Sequence, residues 1–435
     1  MLEHWFKLQE HRTTIHKEVM AGLATFLTAT YILVVNPDIL SSTGMPRDAL
    51  FTATALAMLV GTMIMAFWAN MPLVLAPGMG INAFFAFAVV AGKGYSWQEA
   101  LTATLIAGVF FLLAGAIGLR EAILRGFPET LKHAMTVSLG LMIAGIGLKN
   151  AKIIVPQNNL LVLGDITHGG PLLALLGILI TGILVALGVR AAVLAGIALT
   201  TLLGVFMGVT DSSALFESGV VTLPPSIAPI AFAFSFDWAR ILTFEFAVIV
   251  FTLLAIDIFD SLGTFIGVFN HFDDEERRQY EAGIPKALMA DAAATVCGAC
   301  FGTSTVTTFV ESSTGIAAGG RTGLTALTIC GLVFVALFAS PLFLMVPGAA
   351  TAPALVVVGM YMMGMARRIN FTDASEGIPA VLMVLITTLT VSISDGLMFG
   401  WIGYVALKLC SGKKNELNAT CLAVCLFFIA RMIFL

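Results

Sequence analysis

The sequence predicts an all-α polytopic membrane protein with about 14 transmembrane helices in a 7+7 inverted repeat, the third and tenth helices being broken. Three observations predict this fold class. Of the 435 residues, 59% are hydrophobic and 11% are charged, whereas soluble domains carry about 25% charged residues. Apolar runs of the roughly 20 residues that cross a bilayer recur from end to end. Finally, polar interruptions occur at matching positions in the two halves.

The apolar runs define fourteen candidate spans and one further stretch. The spans lie near 19–40, 51–69, 73–91, 98–118, 134–149, 171–189, 190–208, 242–268, 286–302, 304–318, 323–346, 351–366, 376–394 and 395–411. The stretch at 418–434 is interpreted either as a span or as an interfacial helix. We expect the first segment to be a true span rather than a signal peptide, because its flank lacks a cleavage site. We expect Asn36-Pro37 to end it with a turn.

The distribution of basic residues predicts the orientation. With the N-terminus in the cytoplasm, sixteen of the 22 Lys and Arg residues lie at cytoplasmic span ends and five at the opposite side, as the positive-inside rule requires. The longest outer loop, 209–241, divides the spans into seven and seven. Because seven is odd, the second half enters the membrane from the opposite side, which is the construction of an inverted repeat. We therefore expect a multi-pass protein of the plasma (cytoplasmic or inner) membrane.

Two segments at matching positions carry the interruptions. One is NMPLVLAPGMGINAFF (70–85), where Pro77 is followed by Gly78 and Gly80, and the other is GTSTVTTFVESSTG (302–315). Such pairs of interrupted helices indicate a binding site near the bilayer midplane, where half-helices direct their positive ends inward. The alternative is that the glycines merely allow close helix packing.

Four carboxylates lie well inside candidate spans: Asp257, Asp260, Asp291 and Glu311. Each charge near the bilayer centre costs about 2.5–3.5 kcal/mol on insertion scales, so such residues face water, a ligand or a partner. Asp257 and Asp260 are three residues apart and are expected to share a helix face. Because no Lys, Arg or His lies mid-span to neutralise these acids, Glu311, Asp257 and Asp260 are candidate proton-coupling residues. The alternative is a structural acid capped by hydroxyl and amide groups.

The candidate substrate-binding residues are those of the two interrupted segments and the acids beside them. A protonated carboxyl donates one hydrogen bond and accepts another, which matches the edge of a heterocycle. An amide adds a donor and an acceptor, and a phenyl ring can stack on a planar ligand. The candidates are Glu311, Asp257, Asn82, Gly80, Phe85, Ser312 and Thr303.

Other functions are disfavoured by the sequence. The net charge of −4 and the lack of a basic patch argue against nucleic-acid binding. No nucleophile–base pair assembles, since the six histidines lie outside span centres and Ser304 has no basic neighbour, so we expect no enzyme. Cys297 and Cys300 form a CxxC in an apolar stretch without a second pair, which indicates packing rather than a metal site. No cofactor is expected.

Four blocks carry a resemblance to a known family. They are LATFLTATYILVVNPDIL (23–40), ANMPLVLAPGMGINAFFAF (69–87), DIFDSLGTFIGV (257–268) and GTSTVTTFVESSTGIAAGGRTGLTA (302–326). The chain resembles, over nearly its whole length, the AzgA-like adenine/guanine/hypoxanthine permeases, a branch of the nucleobase–cation symporter (nucleobase:ascorbate transporter-like) family. This family shares its fold with uracil and urate permeases.

The resemblance implies a core domain that moves against a gate domain. The core would comprise 1–130 (spans 1–4) and 242–349 (spans 8–11), and the gate 131–210 (spans 5–7) and 350–435 (spans 12–14 plus the C-terminal apolar helix), with an extracytoplasmic loop at 211–241. The implied function is import of a purine nucleobase by proton symport with alternating access, sodium being the alternative ion. A homodimer is compatible with it.

The resemblance also assigns residues. The eighth-span acid matches Asp257, with Asp260 as a second acid, the tenth-span glutamate matches Glu311, and the third-span Gly-x-Asn matches Gly80 and Asn82. The uracil branch carries Glu and His in its eighth span, whereas this chain has two Asp and no His, so that proton arrangement cannot be copied. APGMGINAFF and GTSTVT look more like the adenine-type members, but guanine/hypoxanthine carriers keep similar blocks. The competing class is an anion exchanger or channel of the same architecture, against which the acids argue.

Overall fold

The computed structural model describes residues 2–116, 128–157, 160–211, 219–269 and 274–434. The first half consists of α1 (Leu2–Phe6), α2 (Ile15–Ala29), α3 (Ile32–Ser41), α4 (Arg47–Ile64), β1 (Leu75–Pro77), α5 (Met79–Ala83), α6 (Trp97–Ala116), α7 (Glu129–Asn150), β2 (Ile154–Gln157), β3 (Leu160–Leu163), α8 (Gly169–Ala186) and α9 (Ala192–Phe206). Two π-helical stretches, Met65–Ala69 and Phe84–Gly92, continue α4 and α5.

The second half begins after the long loop. It consists of α10 (Trp238–Ile241), α11 (Phe244–Phe269), α12 (Asp274–Phe301), β4 (Val306–Thr308), α13 (Ser312–Ala317), α14 (Gly323–Leu337), α15 (Ser340–Leu344), α16 (Gly348–Met363), α17 (Ala374–Thr390), α18 (Ile393–Cys410) and α19 (Ala419–Phe434). A 3₁₀ turn, Gly364–Arg368, extends α16.

The helices agree with the predicted spans. Within the described ranges, eight helical segments are long and apolar enough to cross a membrane. Of five shorter apolar helices, four lie between them and one, Ala419–Ala430, follows the last. Within the described residues, each of the fourteen predicted spans falls on a helix or, at 73–91 and 304–318, on a strand followed by a helix. Arg120 and Arg125, which were counted for the orientation, lie outside the described residues, as do 212–218 in the outer loop and 270–273.

The first span differs from its prediction. Pro37 lies inside α3 and does not end the span, and the interruption comes earlier, at Thr30 and Tyr31. Hydroxyls accumulate just before it: Thr28 donates to the carbonyl of Thr25 at 2.9 Å, and Thr30 donates to that of Phe26. Such bonds to preceding carbonyls bend helices, and Tyr31, which follows them, is buried.

The two interrupted segments meet at the centre of the protein. β1 and β4 pair antiparallel, with Ala76 opposite Thr307. Outside the paired residues, the Gly78 amide donates to the Thr305 carbonyl at 3.0 Å and the Phe309 amide to the Val74 carbonyl at 2.9 Å. Extended backbone is tolerated at membrane depth only where its polar groups are satisfied, and here each broken segment satisfies the other. The predicted breaks of the third and tenth helices are confirmed.

Helix packing repeats between the halves. α4 packs on α12 and α7 packs on α16, each helix meeting its counterpart from the other half. Further contacts come in reciprocal pairs. α2 packs on α14 as α11 packs on α6, α4 packs on α14 as α12 packs on α6, and α7 packs on α17 as α16 packs on α8. Reciprocal contacts of this kind are those of the predicted inverted repeat.

Candidate functional site

A cavity of about 180 Å³ lies between the two broken segments and α16. Its wall is formed by the junction of α2 and α3, the start of α5, α7, α11, the residues from the end of β4 to α13, and the C-terminal part of α16 with the 3₁₀ turn that follows it. The lining residues are Tyr31, Gly78, Met79, Gly80, Thr136, Asp260, Thr264, Thr308, Phe309, Val310, Glu311, Val358, Tyr361, Met362 and Met365. None of these residues is a Lys, Arg or His, so the polar part of the wall consists of two carboxylates, hydroxyls and backbone groups.

Glu311 directs a half-buried carboxylate into this cavity. It occupies the position before the first residue of α13, where β4 ends and the chain turns back into helix. The Tyr31 hydroxyl donates to Glu311 Oε1 at 2.6 Å. Tyr31 itself is 2% exposed, so the phenol is held within the protein while the carboxylate is reached from the cavity.

Two further acids lie beside β4, and successive threonines of the strand bind them. Thr307 donates to Asp260 Oδ2 at 3.2 Å, and Thr308 donates to Asp291 Oδ1 at 3.1 Å. Asp291 also accepts from Ser261 at 2.5 Å and is fully buried. Because side chains alternate along a strand, the two threonines hold acids on opposite sides of β4. Of the two acids, Asp260 lines the cavity and Asp291 does not.

Asp257 lies behind the cavity wall and is 2% exposed. Its Oδ2 is 3.4 Å from the Thr295 hydroxyl, and that hydroxyl is only 2.9 Å from the Val306 carbonyl oxygen. The other oxygen, Oδ1, is buried without a hydrogen-bond partner among the described residues. Asp257, on α11, thus faces α12 and β4, and among the described residues the long contact with Thr295 is its one hydrogen bond.

Asn82 and Phe85 also lie behind the wall. Both are fully buried and neither lines the cavity. The Ser304 hydroxyl donates to Asn82 Oδ1, whereas Asn82 Nδ2 has no partner in the described structure. Asn82 therefore joins the two broken segments, and Ser304, considered above as a nucleophile, has its hydroxyl committed to that bond.

Thr303 and Ser312, like Asn82, do not line the cavity but support the segments that form its wall. The Thr303 hydroxyl accepts from Asn36 Nδ2 at 3.0 Å, which links the tenth span to the first. The Ser312 hydroxyl accepts from the Val74 amide at 3.0 Å and thereby satisfies a backbone group beside β1. Of the seven candidate substrate-binding residues, the structure brings Glu311 and Gly80 into the cavity wall, and the other five support the wall from behind.

Gly80 brings the start of α5 close to α7. A Cβ at this position would lie 3.2 Å from the side chain of Leu139. Without a side chain at Gly80, the backbone of α5 forms that part of the cavity wall.

Sequence reasoning missed the two tyrosines of the cavity, Tyr31 on the first span and Tyr361 on α16. The chain holds only five tyrosines. A tyrosine inside a span is polar at one end and needs a partner there, and that signal was available. It did not reveal which acid the hydroxyl would meet.

Comparison with known proteins identifies relatives that are named as permeases. A model of the Permease family matches residues 16–376. The guanine/hypoxanthine permease PbuO of Bacillus subtilis is 40% identical, covering 99% of this chain and 100% of the relative. The adenine permease AdeP of Escherichia coli is 38% identical, covering 100% and 96%.

Solved structures of similar fold are more distant in sequence. The transmembrane domain of the cyanobacterial bicarbonate transporter BicA aligns with a TM-score of 0.62 at 18% identity, covering 88% of this chain and 96% of that one. The murine anion transporter Slc26a9, in its inward-facing state, aligns with a TM-score of 0.61 at 12% identity, covering 90% and 68%. At such identities the likeness shows the fold alone.

Proposed function

This chain belongs to the Permease family, as its sequence motifs indicated, and we propose that it imports purine nucleobases (adenine, hypoxanthine or guanine) by proton symport. Relatives named for guanine and hypoxanthine and for adenine are 40% and 38% identical over essentially the whole chain. These near-equal values support the class of substrate and do not rank its members. The membrane would be the plasma (cytoplasmic or inner) membrane, with the N-terminus in the cytoplasm.

The observation that carries the proposal is the carboxylate of Glu311 in a cavity whose described lining residues include no cationic side chain. A purine presents ring N–H donors beside ring-nitrogen acceptors, and a carboxylate accepts from such donors with bonds stronger than those between neutral groups. An anion would meet Glu311 and Asp260 without compensation. The anion-exchange alternative therefore has support from the fold alone.

The rest of the wall suits a flat, partly apolar ligand. Met79, Phe309, Val358 and Met362 contribute apolar surface, while Thr136 and Thr264 contribute hydroxyls. A small number of polar groups in an otherwise apolar pocket is the usual composition of a small-molecule site. Asn82, Thr303 and Ser312 would act on binding indirectly, by fixing the broken segments, and Phe85 by packing beneath them.

Asp257 is the acid that we propose carries the coupling proton in this conformation. The Thr295 hydroxyl lies nearer to the Val306 carbonyl than to Asp257 Oδ2, at 2.9 Å against 3.4 Å, so within the described residues Asp257 has one long hydrogen bond and an unpaired Oδ1. A buried carboxylate with so little hydrogen bonding pays a large desolvation cost if charged. A proton on Asp257 removes that cost and lets its hydroxyl donate to Thr295. Asp260 and Glu311, which each accept from a hydroxyl, would be the acceptors that exchange this proton with the cavity.

Alternating access would move the core (1–130 and 242–349) against the gate (131–210 and 350–435). The cavity lies where these parts would slide, since Glu311, Gly80 and Asp260 belong to the core, whereas Thr136 and Tyr361 belong to the gate. Motion at that boundary would change the exposure of a ligand without taking apart the β1–β4 pair.

Uptake of labelled substrates in cells that lack their own purine carriers tests the proposal. We expect adenine, hypoxanthine or guanine to accumulate, a protonophore to abolish accumulation, and replacement of sodium by potassium to leave it unchanged. Uptake of bicarbonate or sulfate without any purine uptake would contradict the proposed function. Uptake that depends on sodium and is not inhibited by a protonophore would show that sodium, rather than the proton, is the coupling ion.

Glu311→Gln tests the site itself. We expect purine uptake to fall by at least about tenfold, since a charge-assisted bond to the base is lost. Glu245→Gln is the matched control: Glu245 pairs with Lys93 at 2.5 Å and does not line the cavity. Uptake by Glu311→Gln equal to that of the control at every external pH would remove Glu311 from the mechanism.

A further inference from the structure

We propose that Tyr31 is a positioning residue for Glu311, whose hydroxyl holds the carboxylate as an acceptor and sets the pH at which Glu311 takes up a proton. The inference rests on the proposed function in one respect only, namely that proton occupancy of Glu311 matters for transport. The hydrogen bond itself and its effect on the carboxyl group are independent of which substrate is carried.

The geometry of the pair is that of a short, charge-assisted bond. The Tyr31 hydroxyl lies 2.6 Å from Glu311 Oε1, within the range typical of O–H···O⁻ bonds. The backbone around Tyr31 is fixed as well, because its carbonyl accepts from the amides of Val34 and Val35, both at 3.0 Å. The first turn of α3 therefore fixes the backbone from which the buried Tyr31 side chain projects.

Among the described residues, few other side chains could interact with the Glu311 carboxylate. Among the described residues that line the cavity, Asp260 from α11 and Tyr361 from α16 are the titratable groups beside Tyr31 and Glu311. On α2, which packs against α13, Glu18 binds the amides of Arg321 and Thr322 and so is engaged elsewhere. Within the described structure, Tyr31 is the one side chain that donates a hydrogen bond to Glu311.

Tyr31 lies at the junction of α2 and α3, where Thr30 and Tyr31 both keep right-handed helical dihedral angles. From this position on the first span, its hydroxyl reaches the tenth span. A donor to the ionised form favours that form, so removing the hydroxyl should allow Glu311 to keep its proton to higher pH.

Infrared difference spectroscopy on the purified full-length protein tests the inference without any substrate. The signal of the protonated Glu311 carboxyl is identified as the band that Glu311→Gln removes, and it is titrated with pH. In Tyr31→Phe we expect the midpoint to rise by about one pH unit, the size expected for one charge-assisted hydrogen bond. Tyr95→Phe, the same change at a buried tyrosine that contacts Phe246, should leave the midpoint unchanged. An unchanged midpoint in Tyr31→Phe overturns the proposal.

A second variant covers the case in which Tyr31→Phe does not fold. Fluorotyrosine at position 31 keeps the shape and makes the phenol a stronger donor, so the midpoint should move to lower pH. A midpoint that stays fixed, or moves upward, again overturns the proposal.

Transport separates this inference from the proposed function. If purines are carried, the pH dependence of uptake by Tyr31→Phe should move upward with the spectroscopic midpoint. If no purine is carried by the wild type, the proposed function fails, and the spectroscopic titration still decides the role of Tyr31.

Discussion

Asp38 on α3 accepts a hydrogen bond from the Thr351 hydroxyl on α16 at 2.7 Å. Arg47 at the start of α4 approaches the same carboxylate at 3.6 Å and also donates to the Val346 carbonyl at 2.7 Å. These contacts tie the first span to the end of α16 that lies farthest along the helix from Tyr361 and Met362. These contacts restrain the N-terminal end of α16, whereas its C-terminal end forms part of the cavity wall.

Loss of the Asp38–Thr351 hydrogen bond should increase local opening at the start of α16. In Thr351→Val we expect amides at 345–352 to exchange hydrogen about fivefold faster, the effect of one hydrogen bond on local opening. Hydrogen exchange with mass spectrometry measures it. Thr388→Val is the control, because Thr388 bonds only within its own helix, to the Val384 carbonyl. Equal exchange in the two variants would show that the Asp38–Thr351 contact does not restrain α16.

Glu18 should be important for stability. It is fully buried on α2, and it accepts from the amides of Arg321 at 2.9 Å and Thr325 at 3.2 Å and from the Thr325 hydroxyl at 2.6 Å. It thereby satisfies donors at the start of α14. Glu18→Gln replaces one acceptor oxygen by a donor, so we expect a loss of about 2 kcal/mol in unfolding free energy.

Thermal unfolding in detergent measures this loss, with Glu10→Gln as the control. Glu10 pairs with Lys7 on the surface, and such pairs contribute little. A Glu18→Gln protein that unfolds at the temperature of the control would disprove the assignment.

The closest approach of α7 and α16 depends on two glycines. A Cβ on Gly359 would lie 2.4 Å from the Gly140 carbonyl oxygen, and a Cβ on Gly140 would lie 2.6 Å from that of Gly359. Gly359→Ala should therefore separate the helices and cost about 1–3 kcal/mol. It should also weaken substrate binding, because Val358 and Tyr361 line the cavity from the same helix.

The control for this prediction is Gly182→Ala on α8, where an added Cβ meets nothing within 4 Å. Both variants can be compared by thermal unfolding and by the KM for uptake. If Gly359→Ala behaves as Gly182→Ala in both measurements, then α7 and α16 are not in backbone contact.

Lys408, the one basic residue of α18, should be important for stability. Its side chain is fully buried, with Nζ 3.0 Å from Glu376 Oε1 and in contact with Glu416. Lys408→Met removes the cation from Glu376, which keeps its hydrogen bond from the Thr130 hydroxyl, and from the half-exposed Glu416. We expect a cost of about 3 kcal/mol for breaking these buried pairs.

Lys413→Met is the matched variant, since Lys413 pairs with Asp373 but is 39% exposed. We expect it to cost at most about 1 kcal/mol. Chemical denaturation of the two variants compares them directly, and a larger loss in Lys413→Met would contradict the view that Lys408 anchors this cluster. The Lys413 bond also lowers the pKa of Asp373, so its contribution is present above the usual Asp range and is lost as pH falls below it.

The sequence predicted much of the fold, because its signals are local. Apolar length located the spans, and Pro77, Gly78 and the hydroxyl-rich run at 302–315 located the breaks. The pairing of β1 with β4 was not predicted, since a three-residue strand has no periodicity to read and its partner lies in the other half of the chain.

The site was predicted less completely, for geometric reasons. Asp257 and Asp260 were expected on one face, yet residues three apart differ by about 60° around a helix of 3.6 residues per turn. That angle is enough for Asp260 to line the cavity while Asp257 faces Thr295 on α12. The roles of the threonines were equally hidden, because a hydroxyl that satisfies a buried carboxylate and one that binds a ligand look the same in a sequence.

The β1–β4 pair has a consequence for how the protein is assembled. Each strand is the sole extended partner of the other within the described residues, and they come from opposite halves of the polypeptide. Neither half alone could satisfy the hydrogen bonds of its extended backbone in lipid. A fragment that ends in the long outer loop would therefore enter the bilayer with unpaired backbone groups. Biogenesis must therefore hold the earlier helices in a provisional arrangement until the tenth span emerges, and a split version should work only when both fragments are made together.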